Sequence, residues 1–269
     1  MNKLTFRKVL VAILAFIMLF GATSTASAAE MPVAGGYTQT ELYEMYLAYL
    51  DEIATTSRAK AEPSKESVEA FVQYAIEEGV IEDTPSERAA VTKAVVRSSF
   101  AAVVTGGRTL GYTTAATYLD HSLQDEPADL SYKSTSSYAN QILSATECFY
   151  IIMDFNAEVA GKGLTYHRMT GDTTLNSTTD LHLSYNKVSY TATGVKSSNG
   201  KWTLTIVFND TYDFKEEEWK NEMTAADAVT ALNNYAAYAQ SIGAIVPYDI
   251  TVTVSTTFTE SPSIEVKSD

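Results

Sequence analysis

Lys201-Trp-Thr-Leu-Thr-Ile-Val-Phe208 decides the fold class of this 269-residue chain. Its apolar side chains fall on every second residue, which is the period of a β-strand with one buried face. The dipeptide Asn199-Gly200 comes just before it and favours a two-residue hairpin turn. The same alternation occurs upstream, at Val188, Tyr190 and Ala192. The two runs therefore predict an antiparallel β-hairpin.

The segments on either side of the hairpin complete the predicted fold. Downstream, a helical period begins at Thr224 and stops at Gly243, and an alternating strand follows Pro247. Upstream, helical periods and caps predict five helices: residues 40–56, Ser64 to Gly79, Thr84 to Gly106-Gly107, Tyr112 to Leu123, and Ser137 to Ala160. This order predicts an α+β protein: a helical N-terminal half, then an antiparallel hairpin–helix–strand unit packed on helices.

The first 28 residues predict an export signal. A basic start is followed by an apolar run over 9–20 and by Ala26-Ser-Ala28, which suits a signal peptidase. That run is short for a bilayer span, so we expect a secreted chain that does not span a membrane. In the mature chain we expect a helical arm over 29–63, an α+β globular domain over 64–259 and a flexible tail over 260–269. Gly106-Gly107 is a second candidate boundary.

Charge and cysteine content narrow the partners and the chemistry. The chain has 33 acidic and 19 basic residues, a net charge of −14, so we expect no nucleic-acid partner. A single cysteine, Cys148, excludes an intramolecular disulfide, and its apolar neighbours predict a buried, inert thiol. Three histidines are few for a zinc site, so any metal is expected to be a hard cation with oxygen ligands, such as magnesium or calcium.

A polar segment, Asn209-Asp-Thr-Tyr-Asp213, ends the second strand of the hairpin. Alternation continues the buried row into Asp210 and Tyr212, whereas Asp213 points across it. A carboxylate at the rim of a core, with a second one nearby, favours metal binding or proton transfer. A purely structural interpretation stays open, in which Asp210 caps a turn, Tyr212 packs with its hydroxyl exposed and Asp213 begins a surface loop.

This segment resembles the active-site signature of the colicin M family of bacteriocins. The family signature is Asp-x-Tyr-Asp, then five residues, then His-Arg. Here Asp210-x-Tyr212-Asp213 matches, Phe214 to Glu218 give the five-residue spacing, and Trp219-Lys220 stands in place of His-Arg. The change removes a general acid or base, and lysine lacks the planar fork of arginine that suits phosphate. The resemblance covers at most residues 180–258.

The resemblance implies a magnesium-dependent phosphodiester or pyrophosphate hydrolase that cleaves the lipid-linked peptidoglycan precursor. In this hypothesis the catalytic residues are Asp210, Tyr212 and Asp213. The two aspartates hold Mg²⁺ or take a proton, Tyr212 positions a phosphate oxygen, and Lys220 binds substrate as a cation.

His182 is the other candidate for substrate binding. It follows Asp180 at the start of the predicted β region, and strand pairing that brought it near Asp210 would supply the missing histidine. An exposed position at a strand entrance is the alternative for this residue.

Two classes of function remain. The first is an exported bacterial toxin-like protein of the bacteriocin type, which acts on a cell-envelope component with an incomplete catalytic set. The second is a non-catalytic secreted binding or inhibitory module. Its surface would use some of the 17 tyrosines to contact a secreted protein or a glycan, because tyrosine gives contact area at little cost in rotamer entropy.

Overall fold

The protein is described here by a computed structural model that covers residues 31–57, 63–217 and 225–260. Its helices and its five-stranded mixed sheet confirm the predicted α+β class. The elements of the described ranges are, in chain order, α1 (Gln39–Ser57), α2 (Lys65–Glu77), α3 (Pro85–Thr109), α4 (Thr113–Ser122), β1 (Leu130–Tyr132), α5 (Ser137–Leu143), α6 (Thr146–Val159), β2 (Tyr166–Thr174), α7 (Thr179–Ser184), β3 (Lys187–Lys196), β4 (Lys201–Tyr212), α8 (Ala225–Ser241) and β5 (Tyr248–Thr259).

The chain divides into two compact units. Unit 1 comprises the residues up to Pro127 and Asp213–Pro247, and contains α1 to α4 and α8. Unit 2 comprises Ala128–Tyr212 and the chain from Tyr248 onward, and contains the sheet with α5 to α7. The predicted division into an arm, a domain and a tail stays a prediction, and the predicted signal segment and residues 261–269 lie outside the described ranges. In the part of the chain that is described, no helix combines the length and the apolar character needed to cross a membrane.

Helix starts in unit 1 follow the predicted caps. The Ser64 hydroxyl accepts the Ser67 N–H at 3.2 Å, and the Ser67 hydroxyl accepts the Ser64 N–H at 2.9 Å, which completes a capping box for α2. Thr84 caps α3 by accepting the Glu87 N–H at 3.2 Å. The Glu87 carboxylate accepts the N–H of Glu82 at 2.6 Å and so ties the preceding turn to the helix.

The sheet of unit 2 has the strand order β1-β5-β4-β3-β2. The predicted β3–β4 hairpin is confirmed, and β5 pairs with β4 antiparallel, whereas β1 pairs with β5 in parallel. The predicted two-residue turn is wrong. Ser197 N–H donates to the Lys201 carbonyl at 2.8 Å, which leaves a three-residue loop that ends in Gly200 at φ 84°. This loop needs one left-handed residue, and glycine takes that conformation without strain.

Three predictions upstream of the hairpin are corrected by the structure. The single helix predicted over Ser137 to Ala160 is two helices, because the chain breaks at Ser144-Ala145 between α5 and α6. Strand β2 was missed, since its inward positions include His167 and Gly171 and give no apolar alternation. The segment after Thr178 begins with the short helix α7, capped by the Thr178 side chain, and only then becomes strand.

The core of unit 2 lies between the sheet and α6. The apolar row of β4 is fully buried, and the Phe155 ring of α6 packs edge-on against Trp202 at a centroid distance of 5.8 Å. Gly194 of β3 makes this approach possible, because a Cβ there would lie 2.5 Å from Cζ of Phe155. The buried row therefore has a rigid floor, and its far end carries the Asp-x-Tyr-Asp motif.

Candidate functional site

Strand β4 brings the motif to the end of the sheet. The row that contains Phe208 continues into Asp210, which is half-buried, and then into Tyr212, which is buried. Across the ladder, Asp210 faces Ile250 and Tyr212 faces Tyr248. The predicted placement of Asp210 and Tyr212 on the core-facing row is confirmed, because a strand sends every second side chain to the same face.

Five tyrosines of unit 2 accompany this end of the sheet, and we call them the tyrosine cluster. The rings of Tyr212 and Tyr248 pack at a centroid distance of 5.4 Å. The rings of Tyr132 and Tyr138 pack at 4.1 Å. The fifth member, Tyr185, is buried just before β3 and acts electrostatically on Tyr248, as Tyr132 and Tyr212 do. The cluster was not predicted, because its members come from four separate parts of unit 2.

Burial and charge keep these phenols protonated. Burial raises the pKa of the Tyr212 phenol well above its usual value, and the negative charge of Asp210 raises it further. The pKa of Tyr248 is also raised, first by burial and then by the neighbouring tyrosines and Asp210. At neutral pH both hydroxyl groups therefore keep a proton to donate. The end of the sheet thus combines one half-buried carboxylate with neutral phenols.

Asp213 begins the second segment of unit 1. Its side chain is half-buried, and its carboxylate lies 3.2 Å from Nζ of Lys215, whose side chain is 83% exposed. Such an ion pair is weak, because water solvates the lysine and its side chain loses entropy when it is held in place. This contact therefore holds Asp213 only weakly.

Three side-chain amides of α8 hold the chain after the motif, and we call them the amide clamp. Gln240 Oε1 accepts the Phe214 N–H at 3.0 Å, and Asn233 Nδ2 donates to the Lys215 carbonyl at 2.5 Å. Asn234 binds Glu217 twice: its Oδ1 accepts the N–H at 2.8 Å and its Nδ2 donates to the carbonyl at 2.9 Å.

The clamp holds the backbone from Phe214 to Glu217. The sequence analysis did not predict that these three amides hold the chain after the motif. The available signal was the placement of three amides on a helix whose other side chains are mostly apolar, close in sequence to the motif. Lys220 itself, the predicted substrate-binding cation, lies outside the described residues, as does Trp219.

The prediction that Asp180 and His182 stand at a strand entrance is wrong. Both lie on the six-residue helix α7, because Thr178 provides a cap that starts a helical turn. His182 is exposed, as the alternative for this residue expected. Asp180 is only 8% exposed and accepts a hydrogen bond from Gln141 Nε2 at 3.1 Å. The Asp180 carboxylate therefore ties α7 to α5, and the role of His182 in substrate binding stays a prediction.

The motif can be tested for its fit to magnesium. Within residues 31–57, 63–217 and 225–260, no three His, Cys, Asp or Glu side chains gather as a metal site. Magnesium needs fewer protein ligands than this, since it is commonly held by one or two carboxylates, with water and substrate phosphate completing its shell. Asp210 and Asp213 have suitable oxygen donors. Each carboxylate taken by itself therefore has the chemistry of a magnesium ligand, and the described residues form no closed metal cage.

Cys148 is a buried thiol. Its side chain is fully buried, and burial raises the pKa of the thiol to about 12. The thiolate, which is the reactive form, is therefore scarce at neutral pH. The predicted burial of the thiol is confirmed.

Comparisons with known proteins give weak likenesses. No family description matches the sequence, and no curated protein matches it. Among solved structures, a truncated bacteriocin, syringacin M from Pseudomonas syringae pv. tomato DC3000, is 12% identical over 93% of this chain and 97% of that chain, with a TM-score of 0.31. PaeM, a colicin M-like bacteriocin produced by Pseudomonas aeruginosa, is 11% identical over 93% of this chain and 95% of that one, with a TM-score of 0.29. Scores this low carry no inference about fold or function.

Proposed function

We propose that this chain is an exported toxin-like protein of the bacteriocin type that hydrolyses a lipid-linked peptidoglycan precursor at the cell envelope. The supporting observation is the end of β4, where half-buried Asp210 continues a buried row beside phenols that its charge helps to keep protonated. Carboxylates next to neutral donors suit a phosphate substrate, because the donors can bind its oxygens while a carboxylate takes a proton.

Each residue of the motif has a distinct role in this proposal. Asp210 accepts a proton from the attacking water, and Tyr212 donates a hydrogen bond to a phosphate oxygen. Asp213, which pairs with the exposed Lys215, would hold a magnesium ion in its place. When bound, the ion supplies charge neutralisation at the phosphate. The amide clamp orients the segment that leads to Lys220, which offers its ammonium group to the same phosphate.

The negative charge around the motif means that the proposed hydrolysis requires a bound cation. Asp210, Asp213 and Glu216 to Glu218 place five acidic residues within nine positions. A phosphate that approaches this segment alone is repelled. A divalent cation reverses the sign of that interaction, so activity is expected only in its presence.

Turnover of the precursor tests the proposal. Purified protein is incubated with a polyprenyl pyrophosphate carrying the peptidoglycan head group, with magnesium or with EDTA. We expect the lipid and the head group to separate only with magnesium, and Asp213→Ala to abolish turnover. Asp51→Ala, which removes an exposed carboxylate on α1, is the matched control and should keep full activity. Turnover that survives Asp213→Ala contradicts the assigned roles.

A binding module is the second candidate, supported by the surface of α6. Phe149, Tyr150 and Met153 are 55%, 61% and 48% exposed within two turns of that helix. Large apolar side chains that cluster in solvent mark contact surfaces. Co-sedimentation with purified peptidoglycan tests this function. Binding by the wild-type chain, loss of binding in the double variant Phe149→Ser and Tyr150→Ser, and no turnover of the precursor would together favour it over hydrolysis.

A further inference from the structure

The two edges of the sheet in unit 2 differ in length. One edge is β1, which has three residues, and the other is β2, which has nine. Proteins usually keep an edge strand short, cover it or interrupt it with proline, because its unpaired backbone groups can bind another strand. Strand β2 contains no proline and is long enough to pair.

The outward backbone groups of β2 can be assigned from its neighbours. The Lys196 N–H donates to the Thr165 carbonyl and the Leu175 N–H donates to the Asn186 carbonyl, both at 2.8 Å and both in the β2–β3 register. Odd-numbered residues of β2 therefore bond to β3, and even-numbered residues point their N–H and C=O groups away from it. The even-numbered side chains, Tyr166 to Thr174, are all exposed. None of these outward backbone groups has a hydrogen bond to another described residue.

The exposed face of β2 carries one positive and one negative side chain, placed so that each can face the other in a second copy of the strand. Arg168 and Asp172 stand two residues on either side of Thr170, on the same exposed face, and neither forms an ion pair with a described side chain. If a second copy of β2 pairs antiparallel about a two-fold axis at Thr170, Arg168 of each copy faces Asp172 of the other. A shift of the axis by one residue in either direction places both charges opposite uncharged residues. Opposite charges directly across an antiparallel pair stabilise it.

We propose that β2 pairs with β2 of a second copy of this chain, in the register centred on Thr170, so that two five-stranded sheets join into one. The same axis places Met169 of each copy opposite Gly171 of the other, and these residues carry no charge. The partner is the same chain, because the edge supplies both halves of the charge pattern. This inference is independent of the proposed hydrolysis.

Charge reversal tests the pairing. In Arg168→Asp, two aspartates of each copy face two of the other, and in Asp172→Arg two arginines do so. Sedimentation velocity over a range of concentrations should show a wild-type dimer, and each variant should dissociate roughly tenfold or more readily, since two attractive pairs become repulsive. An equimolar mixture of the two variants should form a heterodimer, because every charge again faces its opposite. Lys201→Asp, an equal charge change at an exposed site on β4, is the matched control.

The mixture also separates pairing from misfolding. If Arg168→Asp and Asp172→Arg were monomeric because they misfold, mixing them would not restore a dimer. If both are folded and have complementary β2 edges, mixing them should restore it. A wild-type chain that stays monomeric at every concentration overturns the proposal. So does a mixture that stays monomeric, or a Lys201→Asp variant that dissociates as readily as Arg168→Asp.

Discussion

Asp210 and Tyr212 illustrate how neighbouring positions on one strand acquire different chemistry. They share the core-facing row of β4, yet Asp210 is half-buried while Tyr212 is 8% exposed. The carboxylate keeps more access to water than the phenol does. Because a tyrosinate in that position would be both desolvated and repelled by Asp210, the pair favours a neutral phenol beside the carboxylate.

The electrostatic coupling within this site gives a first prediction. Asp210→Asn should lower the pKa of both Tyr212 and Tyr248, because it removes a negative charge that disfavours each tyrosinate. Both values should stay above the ordinary range, since burial is the larger cause. Titration of ¹³C-labelled tyrosine rings by NMR measures the shifts, with Asp51→Asn as a control that removes a distant exposed charge. Unchanged pKa values in a folded Asp210→Asn protein would refute the coupling.

At the scale of elements, Gly194 of β3 sets the distance between the sheet and α6. Gly194→Ala should lower the free energy of unfolding by roughly 1–3 kcal/mol, because the new Cβ would lie 2.5 Å from Cζ of Phe155 and the ring must move. Chemical denaturation measures this change. Thr193→Ala, one residue earlier on the opposite face, is the control and should cost less than about 1 kcal/mol. Equal losses in the two variants would mean that the close approach to Phe155 is unimportant.

The amide clamp gives a prediction for the segment after β4. Asn234→Ala removes both hydrogen bonds to Glu217, so trypsin should cleave after the exposed Lys215 roughly tenfold faster. Mass spectrometry of the first fragments measures the rate. Gln73→Ala on α2 is the control, because its amide binds only the Glu77 side chain among the described contacts. Cleavage at the wild-type rate in Asn234→Ala would show that the clamp does not hold this segment.

Local patterns predicted elements well where one face of the element is buried. The hairpin strands β3 and β4 and the caps at Ser64 and Thr84 follow directly from alternation and from the needs of unpaired N–H groups. Strand β2 was missed because an edge strand with few core contacts does not require an apolar alternation. The break between α5 and α6 was missed because the sequence around Ser144 keeps a helical period on both sides.

At the scale of the whole molecule, the buried phenols predict alkaline unfolding. Burial raises the pKa of Tyr46 to about 12, and the pKa values of Tyr212, Tyr235 and Tyr248 are also raised. A tyrosine in the unfolded chain titrates near pH 10. The unfolded state therefore loses protons first, so the stabilisation is complete below about pH 10 and is lost as the pH rises through the folded pKa values, by up to about 1.4 kcal/mol per pH unit for each group.

Denaturant unfolding at a series of pH values measures this loss. Tyr46→Phe should show a smaller fall in stability between about pH 10 and 12, because one titrating phenol is absent. A free energy of unfolding that stays constant up to pH 12 in the wild-type chain would contradict the role of the buried phenols.

The predicted export adds a measurement on the intact protein. Signal cleavage should give a mature chain that begins near Ala29 or Glu30, and N-terminal sequencing of protein from the culture medium identifies that residue. Retention of residues 1–28 in that protein would contradict it.

The sequence by itself determined the α+β class, the hairpin, the helix caps, the burial of Cys148 and the row that carries Asp210 and Tyr212. These follow from the period of side chains along one element, which is a local property. Only the tertiary structure brought the tyrosine cluster together, placed the amide clamp against the chain after Asp213 and left β2 as an open edge. Those features join residues far apart in sequence, and their meeting depends on strand order and helix packing, which no local pattern encodes.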